Sequence, residues 1–244
     1  MQKGPAVSIQ FPDPIGSRSL RRSLKRGLAR QTMQHARTTD ADSDKIFAAL
    51  REMKPNRLAM ERLVHRLRRL PGVVRAGIGA EGRGVVIVLR NVCETVTRTE
   101  AADLFSECAL LFTRVCAVAQ RDSVQFGINR ATFFLHALER LVERSQSPLD
   151  PSFLAAVDAE AVVLLRAGAS SARIEHDGDS YIRAAATGVW AGSYDVTPPE
   201  PEWGASVTPS VGVPTFSART FLSPNEMKPA VWLRWQPDPT LSAA

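Results

Sequence analysis

The chain has 244 residues, 44 % of them hydrophobic and 23 % charged, with a formal net charge of +6. These are the proportions of a globular protein long enough to bury a core. No run of about 18 uncharged apolar residues occurs, which argues against a membrane-spanning helix. The three cysteines, Cys93, Cys108 and Cys116, form no CxxC pair and have no histidine at ligand spacing. A zinc site and a disulfide framework are therefore not indicated, and a reducing compartment is expected.

The charge is unevenly placed. The first 70 residues carry 16 Lys+Arg against six Asp+Glu, a local net of +10, and the other 174 carry 15 against 19. Most of the excess is arginine, permanently ionised and forked for bidentate contact with phosphate, so a polyanion is the first partner to consider. The opening MQKGPAVSIQFPDP has no compact apolar core and no small-residue cleavage site, which is not the pattern of a classical secretory signal. The Arg- and Ser-rich stretch behind it shares the composition of an organelle transit peptide, an alternative use for the same charges.

From Arg18 to Met33 the spacing predicts a cationic helix, with Leu20, Leu24 and Leu28 forming a narrow apolar stripe. Arg18, Arg21, Arg22, Lys25, Arg26 and Arg30 surround that stripe and are candidate nucleic-acid contacts. A solvated basic tail and a helix lying on an anionic bilayer are the competing readings. After the acidic TTDADSD, one helix is expected from about Asp44 to Met53. A second follows from Pro55, with Met60, Leu63, Val64, Leu67 and Leu70 on its apolar face. Arg62, Arg66 and Arg69 form a ridge on another face of that second helix and extend the candidate phosphate surface, although such ridges are commonly just solvated. His65 reads as a surface histidine.

Gly77, Gly79 and Gly82 satisfy GxGxxG, yet the β-branched run RGVVIVLR follows where a dinucleotide site requires a helix amino terminus. Val73 to Arg90 is therefore expected to be a hairpin turning at AEGRG. Thr97 and Glu100 have capping-box spacing ahead of Leu104, Cys108, Leu111, Phe112 and Val115, which predicts a buried helix. A further helix is predicted from about Asn129 to Arg144, and another from Asp150-Pro151 to near Gly168. ARIEH, DGD and SYIRAA read as a second hairpin. Its Glu175, His176, Asp177 and Asp179 form a polar turn, which lacks calcium-loop spacing and a placeable nucleophile. His176 is the first residue to mutate on an enzyme reading. From Thr197 the chain is Pro-rich, and Trp203, Phe216, Phe221, Trp232 and Trp235 read as anchors of an extended arm contacting its own core or a neighbouring subunit.

The expected fold is α+β: a mainly helical core with one or two β-hairpins over residues 41–196. A basic N-terminal arm (1–40) and an extended Pro/Trp-containing C-terminal arm (197–244) flank it. The expected function is non-enzymatic: an assembly protein of coat-protein or nucleoprotein type that binds nucleic acid without sequence preference and self-associates, with no cofactor or metal. The alternatives are an accessory subunit of a large organellar or membrane-associated complex, and an enzyme whose site is dispersed in sequence. An intracellular or virion location is the corresponding expectation.

Overall fold

The computed structural model describes residues 14–79, 82–98, 104–121, 123–145, 147, 149, 153–167, 173–199, 203 and 212–236. Among these the chain begins with three helices, α1 (Pro14–Arg37), α2 (Ser43–Arg51) and α3 (Arg57–Leu67). Four strands follow, β1 (Val73–Ile78), β2 (Gly84–Arg98), β3 (Leu104–Ala119) and β4 (Val124–Phe134), and then helices α4 (Leu135–Arg144) and α5 (Phe153–Ala167). A second run, β5 (Arg173–His176), β6 (Asp179–Arg183), β7 (Val189–Thr197) and β8 (Val213–Leu222), leads through a 3-10 turn at Pro224–Glu226 to α6 (Pro229–Trp235).

The eight strands form one sheet in the order β1-β2-β3-β4-β8-β7-β6-β5. Each half is an antiparallel meander, and the two join where β4 and β8 pair in parallel from Arg130↔Thr215 to Phe133↔Ala218. This corrects the expectation of a mainly helical core with one or two hairpins. Both predicted hairpins exist, β1/β2 and β5/β6, but they are the outer edges of a continuous sheet.

The difference arises from strands buried on both faces. Along β3, Leu110 and Phe112 enter the core on one side, while Val115 and Ala117 enter the core on the other. Such a strand shows a near-continuous apolar run whose spacing satisfies a helical template as well as a β one. β4 behaves likewise, with Phe133 on one face and Ile128 on the other, so the helix expected from Asn129 starts only at Leu135. The proposed capping residue Glu100 lies outside the described residues, as does the Asp150-Pro151 start expected for α5. Part of the C-terminal arm is also not an arm: β8 pairs with β4 and β7 at the centre of the sheet, and α6 follows it.

α1, α4 and α5 cover one face, packing Ala29, Met33, Leu138, Leu141, Val157 and Leu164 against Phe112, Phe133, Trp190 and Phe216. On the opposite face α2 and α3 cover the β1–β4 half, and α6 places Val231 on Tyr181, Val189 and Ala191 of the other half. The chain passes between faces at residues 38–42, where Ala41 N–H donates to the Arg90 carbonyl at 3.1 Å. Gly72, at φ +68°, lies so close to Ala41 that any side chain there would meet its backbone. Local capping is supplied by Asp42, which accepts from Lys45 N–H at 3.0 Å, and by Asn56, which accepts from Leu58 and Ala59. Pro55 therefore precedes α3 instead of opening it.

The element order α-β-β-β-β-α occurs twice, as α3-β1-β2-β3-β4-α4 and α5-β5-β6-β7-β8-α6. The mirrored strand order, the parallel seam and the exchange of helices between faces relate the halves, in topology, by a two-fold axis along the β4/β8 seam. α1 and α2 lie outside this duplication.

Candidate nucleic-acid interface

α1 is the predicted cationic helix, but it is turned differently from the expectation. Leu20 and Leu24 are 54 % and 44 % exposed, and docking is carried by Ala29, Met33 and Ala36, which are almost fully buried. Small residues let α1 lie close to α4. Two of the predicted phosphate ligands face that contact. Arg21 donates to the carbonyls of Val142 (3.2 Å) and Ser147 (2.9 Å), at the carboxy-terminal end of α4, where a cation suits the helix dipole. Lys25 pairs with Glu143 at 2.8 Å, and Arg140 reaches the same carboxylate at 2.7 Å. Burial pushes the Glu143 carboxyl up, but hydrogen bonds from Lys25 and Arg140 outweigh it and hold the group below its ordinary value.

With Arg21 and Lys25 committed to the fold, Arg18, Arg22, Arg26 and Arg30 remain exposed at successive i+4 positions of the helix. Arg22 is 80 % exposed and touches Glu143 at 3.7 Å. Arg18, Arg26 and Arg30 make no ion pair among the described residues. A rise of 1.5 Å per residue spaces these four guanidinium-bearing positions about 6 Å apart along a ridge of about 18 Å. At its amino-terminal end the ridge opens onto a cleft of about 730 Å³ between α1, α4 and the β8–α6 corner. Arg18, Arg22 and Arg140 line the cleft together with Ser223 and Asn225. Arg21 and Arg144 line it too, and Arg144 is tied to Glu226 at 3.0 Å and to the Phe221 carbonyl at 2.8 Å.

Arg62 and Arg66 are exposed on α3 and line a groove of about 350 Å³ between α2 and α3, while Arg69 is exposed in the turn that follows the helix. Arg69 Nη2 lies 3.4 Å from His65 Nε2. Because α3 and α1 cover opposite faces of the sheet, the two arginine sets are separated by the core and do not form one surface.

The expected subunit anchors are divided between core and surface. Trp203 is 3 % exposed, packed on Phe47 with ring centres 5.2 Å apart and beneath the Arg130 guanidinium at 4.4 Å. Phe216 and Phe221 are buried in the main core, where Phe221 packs edge-on against Trp190. Trp235 is half-buried and donates its indole N–H to the Gly188 carbonyl at 3.1 Å. Trp232 is exposed on α6. At the β5–β6 turn, Asp177 binds Lys228 at 2.8 Å and lies 3.3 Å from His176 Nε2. The Lys228 hydrogen bond and the His176 charge lower the Asp177 carboxyl from its ordinary value. This is a solvated charge cluster, and among the described residues no group of three or more His, Cys, Asp or Glu side chains is arranged to hold a metal.

Sequence reasoning missed three features. Glu160, 3 % exposed in the apolar α5, accepts hydrogen bonds from Ala185 N–H, Ala186 N–H and the Trp190 indole. Arg90 lies under α5, 2.5 Å from Asp158, and donates to Thr39 Oγ1 at 2.6 Å. Arg75, Arg114 and Arg166 converge on a small pocket near the start of the sheet. Each depends on the register of strands whose apolar spacing also fits a helix, or on a contact between distant elements. Among the described residues no helix is long and apolar enough to cross a membrane. Comparison with known proteins returned no matching family model, no matching curated protein and no matching solved structure.

Proposed function

We propose that the protein is a non-enzymatic nucleic-acid-binding protein that holds the phosphate backbone, without sequence preference, on the outer ridge of α1. The observation that carries the reading is the division of labour among the basic residues of that helix. Arg21 and Lys25 fasten α1 to α4, and Arg18, Arg22, Arg26 and Arg30 are left exposed at regular spacing on a rigid support. Cations fixed in a row neutralise successive phosphates and release counterions, whereas a base-reading surface needs side chains aimed into a groove. The reading keeps the partner expected from the sequence and relocates it, from a flexible arm to a docked helix. The layout that suggested a coat protein, two extended arms around a helical core, is not the layout of this chain.

The test is the salt dependence of binding to a labelled oligonucleotide, measured by fluorescence anisotropy. Four phosphate contacts give a slope of log K against log salt of about −2.8 (single strand) to −3.6 (duplex), or roughly 50- to 150-fold weaker binding at 200 mM than at 50 mM salt. The quadruple variant R18Q/R22Q/R26Q/R30Q should lose most of that slope, while R62Q/R66Q/R69Q on the opposite face should retain it. Salt-independent binding, or equal effects of the two variants, would overturn the proposal.

A further inference from the structure

Arg75 of β1, Arg114 of β3 and Arg166 of the last turn of α5 line one pocket of about 190 Å³, floored by Gly77, Val86 and Val88. The strand register explains the convergence. Arg75 pairs across β1/β2 with Val88, and Val88 pairs across β2/β3 with Arg114, so the two arginines flank one valine on the same face of the sheet. Strands about 4.8 Å apart put their backbones about 10 Å from each other, and two extended side chains of that length can meet over the valine. The third cation is delivered from above. Asn129, opposite Arg114 on β4, donates its side-chain amide to the Leu165 carbonyl at 2.9 Å and so fixes the end of α5 that carries Arg166.

Among the described residues none of the three arginines has a hydrogen-bond or ion-pair partner, and no described carboxylate lines the pocket. Arg166 is accounted for in part by the helix dipole, which favours a cation in the last turn of α5. That leaves Arg75 and Arg114, two like charges lining the same space with no described counter-charge opposite them, an arrangement that disfavours the empty pocket. The floor is equally specific. A Cβ added at Gly77 would meet no atom within 4 Å, so the space above it is open, and the glycine keeps that space clear. Gly77 is not among the residues with positive φ, so its backbone does not require glycine.

We infer that this pocket is a binding site for a terminal phosphoryl group, taken either as free phosphate or pyrophosphate or as the end of a small phosphomonoester. Three guanidinium groups around a small volume match a dianionic tetrahedral group by fork-to-oxygen hydrogen bonds. An internal phosphodiester carries one charge and a substituent on each side, for which the pocket has neither the charge need nor the room. The site is independent of the α1 ridge and does not rest on the nucleic-acid reading.

Isothermal titration of the full chain with inorganic phosphate, pyrophosphate, glycerol phosphate and dimethyl phosphate at physiological salt tests the inference. Saturable 1:1 binding of pyrophosphate or glycerol phosphate is expected, with dimethyl phosphate about tenfold weaker or more. Binding of phosphate and pyrophosphate without glycerol phosphate would identify the free anion as the ligand, and binding of all three would identify the monoester group. R114Q and R166Q should each weaken binding by about tenfold or more, whereas R57Q, at an exposed position of α3, should leave it unchanged. Gly77→Val fills the open floor without removing charge. It should abolish binding while circular dichroism and thermal unfolding stay close to the parent. Should R114Q fail to fold, R75Q at the exposed β1 position and G77V carry the test. No saturable binding up to about 10 mM of any probe, or full binding in R166Q and G77V, overturns the inference.

Discussion

Replacing Glu160 by alanine removes an acceptor that holds three donors, and the cost can be worked from the contacts. Oε2 accepts from Ala185 N–H at 2.8 Å and from the Trp190 indole at 3.0 Å, and Oε1 accepts from Ala186 N–H at 2.6 Å. Trp190 is fully buried, so its N–H cannot reach water once the carboxylate is gone, a penalty of about 1–3 kcal/mol. The two amides sit at the rim of the β6–β7 connection, where partial hydration limits each loss to about 1 kcal/mol. Glu160→Ala should therefore destabilise the fold by about 3–5 kcal/mol, a fall in Tm of roughly 6–20 °C for a chain of this size. Glu160→Gln separates acceptor geometry from charge. Its carbonyl can take the Oε2 position and keep two donors, leaving one amide facing the Ala186 N–H, at a cost of about 1–2 kcal/mol. Urea unfolding followed by tryptophan fluorescence reads both. A cost below about 1 kcal/mol for the alanine variant would refute the reasoning, and equal costs for both variants would show that charge, not hydrogen bonding, is what matters at this site.

Other expectations follow from the same contacts. Arg90→Met leaves the largely buried Asp158 carboxylate without its counter-charge and should cost about 3 kcal/mol, while adding Asp158→Leu should recover most of that loss in chemical denaturation. Arg21→Ala should raise amide exchange along α1 without unfolding the sheet, because the carbonyls it serves, Val142 in α4 and Ser147 just after it, lie at the α1 contact. Glu143 has a folded pKa below its ordinary value of 4.5, so its stabilising contribution is present above that value and is lost as pH falls through the lowered one. The stability difference between the parent and Glu143→Gln should accordingly shrink on acidification from about pH 5 downward. Asp158 has the opposite sign: burial, only partly countered by Arg90, raises its carboxyl above its ordinary value of 3.8. Its contribution is therefore fully present below the ordinary value of 3.8 and falls as pH rises through the raised pKa, a decline that Asp158→Asn should lack.

Much of the edge architecture was legible in the sequence because it rests on local chemistry. Asp177-Gly178, with φ of 52° and 79°, is the tight turn that Asp-Gly spacing predicts. Asn56 and Asp42 cap α3 and α2 near the expected starts, and the apolar face of α3 is as predicted. What was not legible is the middle of the sheet. β3 and β4 are covered by helices on both faces, so their apolar residues do not alternate, and Leu104, Cys108, Leu111 and Val115 recur at helical spacing by coincidence. That single ambiguity hid the register that brings Arg75 to Arg114. In α1 the charge pattern was legible, but the docking face was not. Alanines 29 and 36 have little hydrophobic signal beside Leu20 and Leu24, yet close helix approach favours the small side chains.

Both proposed contact surfaces lie where the duplicated pattern is broken. α1 has no counterpart in the second half, and it packs on α4 across the part of that face left beside α5. α3 sits over β1 and β2 of its own half, whereas its topological partner α5 is displaced across the seam and packs on both β4 and β6. In that displaced position, α5 reaches Asn129 with its carboxy-terminal turn and carries Arg166 to the edge of the β1–β3 row. Had α5 stayed over β5 and β6, as the two-fold relation requires, Arg75 and Arg114 would face solvent without the third cation. The departure from symmetry is thus what assembles the pocket. Loosening the Asn129 tether should move Arg166 before it disturbs the sheet. Asn129→Ala, assayed by pyrophosphate titration and by thermal unfolding, should weaken binding several-fold for a stability loss of about 1 kcal/mol. Unchanged pyrophosphate affinity in a variant with that stability loss would mean that α5 is held in place without the tether.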